Sequence, residues 1–295
     1  YLNIIFIQLY LMRYITIHLM GGLGNQLFQI FATIAYAKKH NMTVVFPYSK
    51  VLTSGIKRPT YWHSFLKDIE NLTANNPEYE TVTRYLDKFI TYNEKGFHYV
   101  EIPEIPNVDY LKLFGYFQTY KYFDEYFEDI KQMINLEKQQ NAIKEENKNL
   151  LGNYYNVSMH FRYGDYRSKQ DCHPCMNLNY YVGALNQLIQ VLKGNMDNIQ
   201  IIYFCEVDEN KFVLDMIKKL QHIFPKLIFT KADDNIEDWK QMLLMSCCHS
   251  NILANSSFSL WGAYFNSYKE NIVCYPNVWF GHKLSNYNTK DIFKN

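Results

Sequence analysis

Beyond residue 150 the chain alternates five short apolar or β-branched runs with longer stretches of helical periodicity. The runs are NVSMHF (156–161), IQIIYFC (199–205), KLIFT (226–230), NILAN (251–255) and NIVCYP (271–276). Runs of four to seven residues are too short for helices and suit strands buried on both faces. Strands alternating with helices cannot be joined by hairpins, so the alternation predicts a largely parallel, doubly wound sheet. A second set of the same kind opens the chain. RYITIHLM (13–20) alternates as a strand, Gln26 to His40 carries apolar residues at helical spacing, and TVVFP (43–47) reads as a further strand. Residues 53–91 are mixed, with an apolar-aromatic helix expected near Phe65, and YLKLFGYFQTYKYF (110–123) reads as a strand and a turn. The polar stretch from Lys131 to Asn149 suits an exposed helix bridging two domains. The expected organisation is therefore a short extension (1–11), an N-terminal Rossmann-like domain (12–145) and a C-terminal one (146–295).

The totals exclude several functions. Thirty Lys and Arg against 29 Asp and Glu leave no basic surface for nucleic acid or for an anionic membrane. The apolar opening YLNIIFIQLYLM is shorter than the roughly 20 residues a membrane span needs, and Arg13 interrupts it, so no transmembrane anchor is expected. The six cysteines read as reduced and structural, including the CHPC pair at 172–175. Reduced cysteines point to the cytoplasm, with peripheral association with a membrane left open.

Three clusters carry chemistry. MGGLGNQLF (20–28) places Gly21, Gly22 and Gly24 between a strand and a helix, where glycines permit close backbone approach to a ligand. Its spacing is neither G-x-G-x-x-G nor a P-loop. Asn25 and Gln26 supply amide donors at the mouth of the helix. The alternative is a turn and a helix cap. MHFRYGDY (159–166) falls at the carboxyl end of a strand, where ligands of open α/β sheets bind. Arg162 offers a planar fork for a diphosphate, His160 a contact to base or phosphate, and Asp165 either fixes Arg162 or acts as a base. The alternative is a strand-end ion pair beside a core histidine. ANSSFSLWGAYF (254–265) opens a helix with Ser256, Ser257 and Ser259, either an anion site or a simple serine cap.

In order and spacing these stretches resemble the motifs of the α-1,2-fucosyltransferases, glycosyltransferase family 11. GGLGNQ is matched at Gly21–Gln26, H-x-R-R-G-D-Y from His160 to Tyr166, and NS-S/T-FS-W-WGA from Asn255 to Ala263. Shorter echoes are FHY at Phe97–Tyr99 and GYFQ at Gly115–Gln118, and the resemblance runs from Met12 to about Phe280. It implies a GT-B-like α/β fold of two Rossmann-type domains facing across a cleft, the N-terminal one (12–145) on the acceptor side and the C-terminal one (146–295) binding the nucleotide sugar. It implies inverting transfer of L-fucose from GDP-β-L-fucose to a glycan hydroxyl, typically the 2-OH of a β-galactoside, without a metal ion or other cofactor. Arg162 would then stabilise the leaving diphosphate and His160 contact the nucleoside or phosphates. Asn25 with the Gly22–Gly24 backbone would reach the donor from the opposite domain, while Ser257 and Ser259 complete the diphosphate site.

The chain departs from the pattern at Tyr163, where the family has a second arginine, and at Leu260, where it has tryptophan. Gln241 stands where an aspartate would pair with guanine, the nearest acid being Asp238. These departures leave open a transferase for another nucleotide sugar, or a catalytically silent glycan- or nucleotide-binding relative. Asp165, Glu94 and His98 are all candidates for the general base that inversion requires.

Overall fold

The computed structural model describes residues 12–53, 55–193 and 198–293, so the extension expected at 1–11 lies outside the described residues. The chain divides into two compact units. The first runs to Gly21, continues from Gln26 to Ile134, and takes in the chain from Lys290 onward. The second holds Asn135–Thr289 together with Gly22–Asn25.

In the first unit β1 (Tyr14–Ile17) leads into α1 (Leu23–Lys39) and β2 (Thr43–Val44). A small antiparallel pair, β3 (Val51–Leu52) and β4 (Arg58–Pro59), follows, then α2 (Glu80–Thr83), β5 (Ile90–Asn93), β6 (Tyr110–Phe114) and α3 (Phe127–Met133). The sheet order is β2-β1-β6-β5, all parallel. Ile15 and Ile17 of β1, Leu111 and Leu113 of β6, and Phe28 and Phe31 of α1 are buried, and Phe123 packs edge-on against Phe31 at 5.6 Å. The α-helix expected near Phe65 does not form. Phe65 and Leu66 are fully buried, but the chain there runs through tight i→i+3 turns and a 3-10 segment, Lys67–Leu72, in which Ile69 leaves helical dihedrals. Burial of a short apolar patch set the hydropathy, not a helical period.

The exposed bridging helix also differs from expectation. Asn135, in the left-handed conformation with φ 51°, breaks it. From there α4 (Leu136–Glu146) buries Leu136, Gln140 and Ile143 along one face, the i, i+4, i+7 stripe of an amphipathic helix. The Gln140 amide donates to Ser246 Oγ at 2.8 Å and to Phe265 O at 2.9 Å, fixing α4 within the second unit.

After α5 (Lys148–Leu151), the second unit alternates β7 (Tyr155–His160), α6 (Leu178–Val191), β8 (Ile199–Phe204), α7 (Asn210–Ile223) and β9 (Ile228–Lys231). It continues through α8 (Asp238–Ser246), β10 (Ser250–Ile252), α9 (Ser257–Tyr264) and β11 (Val273–Cys274). All five expected strands are present and parallel, in the order β11-β10-β7-β8-β9. Every residue of β8 and β10 is buried, as are the last five of β7. The chain leaves β7 toward β8 on one side and β10 lies on the other, so the order reverses between β7 and β10. Ligands of open α/β sheets bind at such a reversal, outside the carboxyl ends of the strands.

Candidate active site

His160 ends β7 beside that reversal and Arg162 follows just past the strand's carboxyl end. Alternation along the extended chain sends Phe161 and Tyr163 to the core, where both are buried and the Tyr163 hydroxyl donates to Met176 O at 2.7 Å. Position 163 therefore faces the hydrophobic interior, and the charge that the sequence comparison found missing there would have pointed into the core. Arg162 points the other way. One terminal nitrogen bonds Asp165 Oδ1 and the other Glu206 Oε1, while the guanidinium lies 4.9 Å from the Tyr166 ring centre. Its side chain is 15% exposed, and burial opposes its charge. The two carboxylates outweigh that burial and hold its pKa above the ordinary value. Asp165 thus fixes Arg162, one of the two roles open to it from sequence.

Glu206 was not legible in the sequence. Register explains its position: His160 pairs with Phe204 across β7 and β8, so the residues two beyond each strand end, Arg162 and Glu206, meet. Gly164 completes the turn at φ +26°. A β-carbon on it would stand close against the Glu206 carboxylate, so this glycine admits the clamp.

His160 is buried against Phe258, with ring centres 5.6 Å apart. Burial, then the Arg162 charge, pushes its pKa down to about 3. The imidazole is therefore neutral near pH 7, with one donor and one acceptor nitrogen. Its Nδ1 is buried without a hydrogen-bond partner. Leaving a buried polar atom unsatisfied costs about 1–3 kcal/mol, so such an atom calls for a partner, an ordered water, ion or other bound group among the candidates.

The glycine loop works differently from expectation. Gly21 takes φ 80°, and Gly22 has open space around its α-carbon. Gly24 is packed against the start of α9. A β-carbon there would lie 2.5 Å from Ser257 C and 2.7 Å from Phe258 N, so the glycine exists for the backbone of α9. The contact is completed by Ser257 Oγ donating to Asn25 Oδ1 at 2.7 Å and Trp261 Nε1 donating to Gly24 O at 2.8 Å. Gly22–Asn25 accordingly belong to the second unit, not to the opposite domain. Gln26 is buried, and its amide donates to Gly21 O and Pro59 O at 3.0 and 2.9 Å. It braces the loop and does not present donors to a ligand.

Among the serines, Ser256 is the helix cap, its Oγ accepting from Phe258 N at 3.3 Å. Ser259 is buried and donates back to Ser256 O at 3.3 Å, which turns it away from any ligand. Ser257 is the half-buried member, beside Asn25. Asn255 ties two loops together, donating to Pro174 O at 2.9 Å and Trp279 O at 3.2 Å. On α8, exposed Asp238 accepts from Trp239 N at 2.7 Å, and the Gln241 amide donates to Ile236 O at 2.8 Å.

Of the other base candidates, Glu94 and His98 lie in the first unit. His98 is half-buried in the β5–β6 connection. Glu94 accepts two backbone N–H bonds, from Tyr116 at 2.7 Å and Phe117 at 3.0 Å. Among the described residues no cluster of three or more His, Cys, Asp or Glu side chains is placed to hold a metal ion. No helix among them is long and apolar enough to cross a membrane.

A family profile described as Glycosyl transferase family 11 matches residues 8–294. The chain is 28% identical over 293 residues to an alpha-1,2-colitosyltransferase of Escherichia coli, covering 91% of this chain and 93% of that protein. It is 27% identical over 297 residues to the O-antigen biosynthesis glycosyltransferase WbnK of Escherichia coli, covering 89% and 93%. Among solved structures it is similar to POFUT1 in complex with GDP-fucose, with a TM-score of 0.52 at 11% identity over 91% of this chain and 99% of that one. That likeness shows the fold, α/β with parallel sheets and of the GT-B type.

Proposed function

The chain belongs to glycosyl transferase family 11, and from that membership we propose that it moves L-fucose from GDP-β-L-fucose to a glycan hydroxyl, with inversion. The acceptor in this reading is the 2-OH of a β-galactoside. The observation that supports it most is the Arg162 fork, positioned by Asp165 and Glu206 at the carboxyl end of β7 beside an unsatisfied His160 nitrogen.

Breaking the bond between the anomeric carbon and the β-phosphate oxygen leaves a diphosphate that gains negative charge. A guanidinium in a partly desolvated place stabilises that charge more than water would. Arg162 has five N–H donors, and its two carboxylate bonds engage only its terminal nitrogens, so an entering phosphate takes further donors or displaces a carboxylate. Neutral His160 offers a hydrogen bond at any pH above its depressed pKa. Ser257 and Asn25, joined at the first turn of α9, stand where the helix amides gather partial positive charge. In this reading leaving-group charge is met by protein donors and transfer needs no metal ion. The guanine contact falls to the start of α8, at Asp238 and Gln241.

A second reading, transfer of a different sugar from a nucleotide donor, is favoured by the likeness to a colitosyltransferase. Colitose and fucose differ by one hydroxyl, and a site that hydrogen-bonds a hydroxyl rejects the analogue lacking it far better than the reverse. Calorimetry with GDP-fucose, GDP-colitose and UDP-galactose, followed by transfer assays on a galactoside panel, separates the readings. Binding of the uridine donor alone would overturn the fucose reading and leave the second.

A further inference from the structure

The second unit holds a cavity of about 540 Å³ at the amino end of its sheet, a size that small-molecule sites commonly have. Its wall forms where the helices before β7 end and where β7 and β10 begin. Lys144 and Lys148 contribute from the helices, Asn156 from the second position of β7, His249 from the residue before β10, and Tyr268 from beyond α9. Asn156 and Arg162 are six residues apart, and extended chain rises about 3.3 Å per residue, so the cavity lies roughly 20 Å from the strand-end arginine. Among the described residues its lining has two lysines and no aspartate or glutamate.

His249 is the fixed point of the wall. Its ring stacks on Tyr155 at 4.8 Å and lies 4.5 Å from the Tyr268 ring, and its Nδ1 accepts from Asn156 N at 3.0 Å. Asn156 is itself buried and fully engaged, donating to Leu151 O at 2.8 Å and accepting from the Gln200 amide at 3.0 Å. Burial pushes the His249 pKa below its ordinary value, and the Lys144 charge adds to that effect. A neutral ring whose Nδ1 accepts carries its hydrogen on Nε2. Among the described residues nothing accepts that hydrogen.

Lys144 is half-buried, its ammonium 5.9 Å from the Tyr268 ring centre. The neighbouring carboxylates are taken elsewhere, Glu145 by Lys148 at 2.5 Å and Glu146 by Lys240 at 3.0 Å. Among the described residues none lies within ion-pair distance of Lys144. Withdrawing an ammonium from water without a counter-ion is unfavourable. The dipole of α4 favours a lysine near its C-terminus, but that accounts for neither the cavity nor the idle imidazole donor. An ammonium and a fixed neutral N–H on one wall suit an anion with several oxygens, and a phosphate ester presents three.

We propose that this cavity is a further ligand site, one that takes the phosphate group of a small soluble phosphate monoester, with Lys144 meeting its charge and His249 Nε2–H donating to one of its oxygens. The site does not rest on the fucosyltransferase reading.

The test uses the full chain and phenyl phosphate as the probe, with benzoate as the carboxylate of the same ring. Calorimetry is run on the wild type and on Arg162→Ala, in which the strand-end cation is absent. Phenyl phosphate is expected to bind both with a Kd below about 1 mM, and benzoate at least five-fold more weakly. Lys144→Gln should weaken phenyl phosphate at least ten-fold and Lys144→Arg less than three-fold. The His249 Hε1 resonance, assigned by its loss in His249→Phe, should move on saturation of the wild type. Should Arg162→Ala unfold, that resonance locates the ligand. An unmoved resonance, or affinity within two-fold of wild type in Lys144→Gln, would overturn the site. Equal affinity for benzoate would overturn the phosphate assignment. Sedimentation with phosphatidate vesicles in the absence of any binding of phenyl phosphate would overturn the soluble ligand.

Discussion

Replacing Gly24 by alanine sets two opposed effects against each other. The residue lies in the first turn of α1, and helix propensity alone favours alanine over glycine by up to about 1 kcal/mol. Against this, the added carbon would stand 2.5 Å from Ser257 C, 2.6 Å from Ser257 O and 2.7 Å from Phe258 N. Carbon contacts are comfortable near 3.5–4.0 Å, so the backbones must part by roughly 1 Å. All three atoms are main-chain atoms and none can rotate aside. Overpacking of this kind costs about 1–3 kcal/mol. Separation also stretches the bonds from Ser257 Oγ to Asn25 and from Trp261 Nε1 to Gly24 O, each worth about 0.5–1.5 kcal/mol. The net expectation is a loss of about 2–3 kcal/mol, or about 4–12 °C in Tm for a body of this size. Gly22→Ala is the internal control, because nothing lies within 4 Å of its added carbon and its φ is not positive. It should be neutral or gain up to about 1 kcal/mol through the unfolded chain. Urea unfolding followed by tryptophan fluorescence reads mainly the second unit, which holds three of the four tryptophans, Trp239, Trp261 and Trp279, with Trp62 in the first. Wild-type stability in Gly24→Ala, to within about 0.5 kcal/mol, or an equal loss in Gly22→Ala, would refute the assignment of Gly24 to helix packing.

Arg162→Ala removes the fork, and losing two charge-assisted bonds of about 1.5–3 kcal/mol each should lower turnover at least a hundredfold in a folded protein; more than about a tenth of wild-type turnover would contradict its role. Glu206→Gln should leave the fold intact but slacken Arg162, raising the donor KM several-fold, and an unchanged KM would place Glu206 outside the positioning of that side chain. His160→Phe should hold or raise stability by removing a buried unsatisfied atom while weakening GDP binding at least ten-fold in calorimetry. The same variant isolates a pH effect. His160 is neutral when folded, with its pKa depressed to about 3, so the unfolded chain binds the extra proton first. Its contribution is complete above about pH 6.5 and falls as pH drops from there toward 3, by up to about 1.4 kcal/mol per unit. The stability difference between wild type and His160→Phe should therefore change with pH below 6.5, and parallel urea midpoints from pH 7 to pH 5 would count against a buried neutral histidine.

What the sequence disclosed divides along the reach of the forces involved. The five strands of the second unit were readable because continuous burial in a parallel sheet leaves β-branched runs that need no partner to recognise. Arg162 and His160 were readable because their place at a strand's carboxyl end is a local property. Glu206, 44 residues away from Arg162, was not, since its meeting with the guanidinium is created only by the pairing of β7 with β8. Gly24 was misread for a similar reason. A glycine required by a ligand and one required by another helix look alike in a string, and Ser257 lies 233 positions further on. Gln26 reads in the sequence as a donor for a ligand, but its amide hydrogens are bonded to Gly21 O and Pro59 O, and the second partner lies 33 residues on. The turn region around Phe65 failed because burial without regular structure carries no period.

The clamp on Arg162 has one more consequence. A cation already held by Asp165 and Glu206 is partly neutralised before a phosphate arrives, whether the phosphate takes its remaining donors or displaces a carboxylate. Added electrolyte screens the existing pairs and the incoming contact alike. Donor affinity should consequently respond to ionic strength less steeply than it would at a lone guanidinium, and stray inorganic anions in the surrounding medium would find the position already taken.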